Sequence, residues 1–150
     1  MGNEAKTENL VRDMLRKQGY FDNPDIVVEE KKSDSPKIDK LLKNASKSKK
    51  GSGAGYPEFI IYAKAYSEFI IVIECKADSK KHISNNKDQY ANYAVDGSLL
   101  YGSFLAKEFG VVAIGVSGEN AKELKISHNY FLKEVTCPQS LYQLLCGSSD

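Results

Sequence analysis

The run Phe69-Ile70-Ile71-Val72-Ile73-Glu74-Cys75-Lys76 constrains this chain more than any other stretch of it. Alternate residues of a strand point to opposite faces, and from Phe69 to Ile73 both alternating sets are apolar. A strand buried on both sides belongs in the middle of a covered sheet. Yet the run closes on Glu74 and Lys76, two residues apart and so on one face. Charged groups seldom occupy such a place unless they are paired or bound to something. Cys75 points the other way and reads as core.

The neighbouring segments supply the rest of a layered domain. Glu4 to Gln18 reads as an amphipathic helix, with Leu10, Val11, Met14 and Leu15 at helical spacing and Gly19 where a terminating glycine belongs. Ile26 to Glu29 follows the turn signal Asn23-Pro24-Asp25 as a short strand. Glu58 to Ala63 and Phe69 to Cys75 are two strand-like runs joined by Lys64 to Glu68. Asp88 to Phe109 is largely helical, divided near Asp96-Gly97, with Gly110 as terminator. Val111 to Val116 is a strand, Lys125 to Phe131 an edge strand, and Ser140 to Leu145 a short last helix. This order predicts an α/β (α+β) class, a central mixed sheet flanked by helices.

Composition narrows the function. One hundred and fifty residues, 41% of them hydrophobic, predict a single domain with its own core and leave no room for a translocating motor or a methyltransferase. The 21 basic and 20 acidic residues argue against a histone-like binder. Lys31 to Lys50 nevertheless carries eight lysines against two aspartates, a local net of +6 that leaves −5 for the other 130 residues. Running into Gly51 to Gly55, this stretch is expected to be a flexible basic loop over about 31–55. It is either a plain solvated loop or one whose Lys43, Lys47, Lys49 and Lys50 lie along a phosphate backbone. Three widely spaced cysteines, Cys75, Cys137 and Cys146, make no zinc pattern and suit a reducing compartment. With no long apolar run and no hydrophobic leader, the expected location is cytoplasmic. His82 and His128 stand isolated and receive no role. Asp78, Lys80 and Lys81 read as a solvated strand end.

Hairpin arithmetic adds a second carboxylate to the first. With a five-residue loop at Lys64 to Glu68, Ala63 pairs with Phe69, Ile61 with Ile71 and Glu58 with Glu74. Directly opposed residues share a face. Two carboxylates about 4 Å apart repel by roughly 4 kcal/mol at an effective dielectric near 20. A divalent cation between them removes the penalty, and carboxylate oxygens suit Mg²⁺, with Mn²⁺ as substitute. The plain alternative is an ion pair of Lys76 with Glu74, with Glu58 in solvent.

Pro57-Glu58, then Glu74-Cys75-Lys76, reads as P-E…E-x-K. In this the sequence resembles the PD-(D/E)xK nuclease superfamily, especially the N-terminal nuclease domains of type I and type IIG restriction enzymes, over about Glu8 to Val116. An upstream helical glutamate (Glu8) before Gly19-Tyr20 agrees with it, as does Gln89-x-x-x-Tyr93. Glu58 stands where Asp is usual, keeping the carboxylate with a longer reach.

The resemblance implies a restriction-endonuclease-like core in which Glu58, Glu74 and the backbone carbonyl of Cys75 hold the metal. Lys76 would orient or help deprotonate the attacking water. Glu8 would be an outer ligand or a solvated first-turn residue, with Glu4 its competitor. Gln89 and Tyr93, one turn apart on a helix, would face DNA or steady Lys76. The implied activity is Mg²⁺-dependent cleavage of double-stranded DNA, with recognition from methyltransferase, specificity or translocase domains or subunits. The alternatives are a stand-alone Holliday-junction resolvase or repair nuclease, or an inactive DNA-binding or interaction domain.

Overall fold

The computed structural model describes residues 2–48 and 53–133. In chain order the elements are α1 (Glu4–Lys17), β1 (Ile26–Glu29), α2 (Pro36–Leu42), β2 (Phe59–Ala63), β3 (Tyr66–Lys76), α3 (Ala94–Leu105), β4 (Gly110–Ser117) and β5 (Lys125–Phe131). Helix α1 starts where the Asn3 side chain accepts the Ala5 amide at 3.0 Å. It stops at Gly19, whose φ of +80° turns the chain while the amides of Gly19 and Tyr20 bond the carbonyls of Arg16 and Leu15.

The sheet is mixed and runs β1-β2-β3-β4-β5, so β3 is central, as its two-sided apolar run predicts. β1–β2, β2–β3 and β4–β5 are antiparallel, whereas β3 and β4 are parallel. A parallel pair needs a crossover, and α3 supplies it. On one face α2 and α3 bring Ile38, Leu42, Tyr101 and Leu105 against Ile60, Ile70, Val72, Val111 and Ala113. On the other, Val11 and Leu15 of α1 cover Phe59, Ile61, Ile73, Cys75 and Val116. The mixed, helix-flanked α+β class is therefore as the sequence predicts.

Three expectations are corrected. First, the β2–β3 hairpin closes through a tighter turn: Ala63 pairs with Tyr66, not Phe69, across an irregularity at Tyr62/Ala63. The irregularity absorbs the difference, and Ile61 still pairs with Ile71. Second, the stretch expected to be a flexible basic loop contains α2. Ser35 caps it by accepting the Ile38 amide, Pro36 occupies its first turn, and Ile38, Leu42 and Ala45 are buried. Lys49 and Lys50 lie outside the described residues, as do Cys137, Cys146 and the expected helix Ser140–Leu145.

Third, Asp96-Gly97 does not divide a helix. α3 runs through the pair, and residues 88–93 are turns and irregular chain. Asp96 is wholly buried and accepts the Ser84 amide (3.1 Å), the Gln89 amide (2.9 Å) and the Ser84 hydroxyl. Its carboxylate thereby fastens the 84–89 loop to α3. A Cβ at Gly97 would sit 2.9 Å from the Tyr90 carbonyl and 3.0 Å from Glu74 Cγ, so the glycine admits a close approach rather than a break. His82 also gains a role. Its ring nitrogens lie 2.8 Å from Ser117 Oγ and 2.7 Å from Ser127 Oγ, tying the same loop to β4 and β5.

Candidate functional site

The carboxyl end of β3 and the entry to β2 meet beside the first turns of α1. The β2–β3 ladder runs as far as Phe59↔Ile73, and one further step of that register sets Glu58 across from Glu74. Both side chains are buried, Glu74 completely and Glu58 at 6% exposure. Lys76 Nζ stands 3.7 Å from Glu74 Oε1 and 3.0 Å from Glu4 Oε1. The fold thus brings Glu58, Glu74 and Lys76 to one place, with Glu58 buried rather than in solvent.

α1 contributes two acids, not one. Single carboxylate oxygens of Glu4, Glu8 and Glu58 all lie within 4.8 Å of one another. Glu4 and Glu8 are one helical turn apart and so share a face. Glu8 is 13% exposed and is steadied by Arg12 at 3.3 Å, whose guanidinium also bonds Glu30 and lies over the Phe59 ring. It is thus no solvated first-turn residue.

Burial sets the electrostatics. It raises the Glu58 carboxyl to about 7, with Glu74 and Glu8 adding to the rise and the Lys31 ammonium opposing it. Burial also raises Glu74, against the pull of Lys47 and Lys76. For Lys76, burial works to lower the ammonium but is outweighed by Glu74, Glu4 and Glu58, so the net shift is upward. Burial pushes the Cys75 thiol up, and Cys75 is wholly enclosed on the α1 face, which fits core and not nucleophile.

The carboxylates are incompletely satisfied. Glu74 Oε1 accepts Lys47 Nζ at 2.8 Å, yet Glu74 Oε2 is buried with no hydrogen-bond partner among the described residues. An orphaned carboxylate oxygen is costly unless something binds it. The clustered oxygens of Glu4, Glu8 and Glu58 make an all-oxygen set that fits a hard divalent cation, and the unsatisfied Glu74 carboxylate lies across the strand pair from Glu58.

Other expected residues fall elsewhere. Gln89 and Tyr93 do not share a helix face: Gln89 is in the loop held by Asp96, and Tyr93 is the residue before α3, with the Lys81 ammonium 5.0 Å above its ring. Gln89 instead lines a cleft of about 300 Å³ with Lys47, Asp88 and Asn92. Lys43 is exposed at the end of α2. Lys47, expected along DNA, sits on Glu74. Lys31, not singled out in the sequence, is 2.9 Å from Glu58 Oε2. Nothing in the sequence distinguishes these two lysines from their six neighbours in the basic stretch. Asp78 accepts the Lys80 amide in an exposed turn, as a strand end should.

Comparison with known proteins adds a likeness. The chain is 30% identical over 143 residues to the type II restriction enzyme and methyltransferase RM.BcgI of Heyndrickxia coagulans. The match covers 87% of this chain and 21% of that enzyme, so the chain spans about a fifth of its relative's length. It is a homologue of part of a restriction enzyme. No protein-family profile matches the chain, and no solved structure matches it. Among the described residues no helix is long and apolar enough to cross a membrane.

Proposed function

We propose that this chain is the DNA-cleaving module of a restriction–modification enzyme, a metal-dependent endonuclease of PD-(D/E)xK type that hydrolyses phosphodiester bonds. The observation that carries the reading is the buried Glu58 and Glu74, with Lys76 3.7 Å from Glu74 and a Glu74 oxygen that has no partner among the described residues. Likeness to a restriction enzyme and methyltransferase supports it over a junction resolvase or an inactive domain.

Glu58, Glu74 and Glu8 would hold Mg²⁺ or Mn²⁺, with Glu4 at the rim and the Cys75 carbonyl as a further oxygen. When bound, the cation supplies Lewis-acid polarisation of the phosphodiester and a water of lowered pKa. The chain's own contribution is positional and electrostatic. Lys76, kept protonated by Glu74 and Glu4, offers positive charge where the phosphoryl oxygens gain negative charge. It acts as a cation that orients water and phosphate rather than as a base. Glu8, braced by Arg12, keeps the α1 edge of the site acidic. The domain reads no base by itself in this account; recognition comes from methyltransferase, specificity or translocase domains or subunits. Double-stranded DNA is the substrate.

Plasmid nicking by the purified protein tests the reading. Nicking should require Mg²⁺ or Mn²⁺, stop in EDTA, and fall below detection in Glu74→Ala and Lys76→Ala. Nicking that survives either substitution overturns the assignment.

A further inference from the structure

Two lysines without a part in that chemistry grip its two central carboxylates. Lys47 Nζ is 2.8 Å from Glu74 Oε1, and Lys31 Nζ is 2.9 Å from Glu58 Oε2 and 3.6 Å from Glu8 Oε1. Neither lysine lies on a strand. They flank the segment that carries α2, whose Ile38, Leu42 and Ala45 are anchored in the core. The segment is therefore pinned at its middle while its flanks reach over the site from two sides.

The backbone is bent to make one of these contacts. Lys31 has φ +66°, in the left-handed region that side chains other than glycine rarely adopt. It is the central residue of a tight three-residue turn in which the Lys32 amide bonds the Glu30 carbonyl at 2.7 Å. Such a conformation persists only where the surroundings impose it. Here the return is an ammonium placed on a buried carboxylate.

Formal charge shows what these contacts do. Glu4, Glu8, Glu58 and Glu74 face Lys31, Lys47 and Lys76, with Arg12 balanced by Glu30. The cluster is one negative charge in excess. A divalent cation reverses that to one positive charge in excess, and a single phosphodiester restores neutrality. An ammonium beside a divalent cation in a buried site is strongly repelled, whereas a DNA phosphate is its natural partner.

We propose that Lys31 and Lys47 are phosphate-positioning residues that occupy the carboxylates while the site lacks metal and pass to the DNA backbone when the cation binds. This rests on the nuclease reading of the site and extends it. The buried Glu74 Oε2, unpartnered among the described residues, gives the cation its first foothold, and Lys47 is the group its arrival pushes away. Metal and DNA binding are then coupled through the basic segment, which is presented to phosphate only by a loaded site.

Calorimetric titration with Mn²⁺ in the absence of DNA separates the possibilities. Lys47→Met should bind Mn²⁺ more tightly than wild type, by about tenfold, because no ammonium has to be displaced. Lys31→Gly should do the same to a smaller degree, and glycine suits the left-handed backbone, so this variant keeps its fold. Both should bind duplex DNA more weakly in Ca²⁺. Lys40→Met, exposed on α2 and away from the carboxylates, should leave Mn²⁺ affinity unchanged. Wild-type binding with unchanged or weaker affinity in Lys47→Met and Lys31→Gly overturns the lysine proposal and spares the metal site. No Mn²⁺ binding by wild type overturns the nuclease reading, and the lysine proposal with it.

Discussion

Two carboxylates on facing elements, Asp96 of α3 and Glu74 of β3, are equally inaccessible to solvent, yet they are treated in opposite ways. Asp96 is surrounded by neutral donors, two backbone amides and a hydroxyl, all from the loop it holds. Glu74 has ammonium groups on one oxygen and, among the described residues, no hydrogen-bond partner on the other. Neutral donors satisfy a carboxylate permanently, because they have no alternative charged partner to prefer. Charged ammonium partners and an orphaned oxygen leave it able to exchange partners. The first arrangement builds the fold and the second keeps a place open for chemistry.

The contrast is broken most severely at Asp96. Asp96→Ala would strand the buried amide and hydroxyl of Ser84 and release the part-buried Gln89 amide, costing about 3 kcal/mol and lowering the melting temperature on the order of 10 °C. A variant that melts like wild type would remove the structural half of the comparison.

At Glu58 the expected effect is smaller and opposite in sign. Its folded value of about 7 lies above the ordinary carboxyl value of 4.5, so the neutral form is favoured by folding. The stability this contributes is fully present below about pH 4.5 and is lost as pH rises through 7. Glu58→Gln never ionises and escapes the loss. In EDTA at pH 8 it should melt above wild type by on the order of 1 kcal/mol, discounted for solvent screening, with the gap closing toward pH 4.5. A Gln variant that is less stable at pH 8 would mark Glu58–Lys31 as an ordinary structural ion pair.

Smallest of all is the effect expected at Lys43, exposed at the end of α2. Lys43→Gln should reduce the slope of log affinity for DNA against log salt by at most about 0.9, the value for one lost phosphate contact. An unchanged slope would make Lys43 a solvated residue.

Much of the scaffold is legible in the sequence. β1 is read to its ends, β3 is central, and the pairing Ile61↔Ile71 survives a wrongly sized turn. That robustness has a cause: apolar residues on both faces of β3 fix the register from within, whatever the turn does. The Glu58–Glu74 juxtaposition inherits it. α2 left a signal that charge obscured, since Ser35-Pro36 before Ile38 and Leu42 is a helix start. Asp96-Gly97 misled because a turn-type dipeptide is a local cue, and the burial that keeps it helical is supplied by Glu74 and the 84–90 loop. Lys31 and Lys47 could not have been picked out, because their meeting with the glutamates is made by tertiary folding alone.

Melting in EDTA and in Mn²⁺, run side by side on wild type, Glu74→Gln and Asp96→Asn, tests the central claim most directly. Binding to the folded state alone raises stability by RT ln(1 + [Mn²⁺]/Kd). Wild type and Asp96→Asn should both melt higher in Mn²⁺, the latter from a lower starting point, while Glu74→Gln should show little or no shift. A wild type indifferent to Mn²⁺, or a Glu74→Gln protein that gains as much as wild type, would contradict the account.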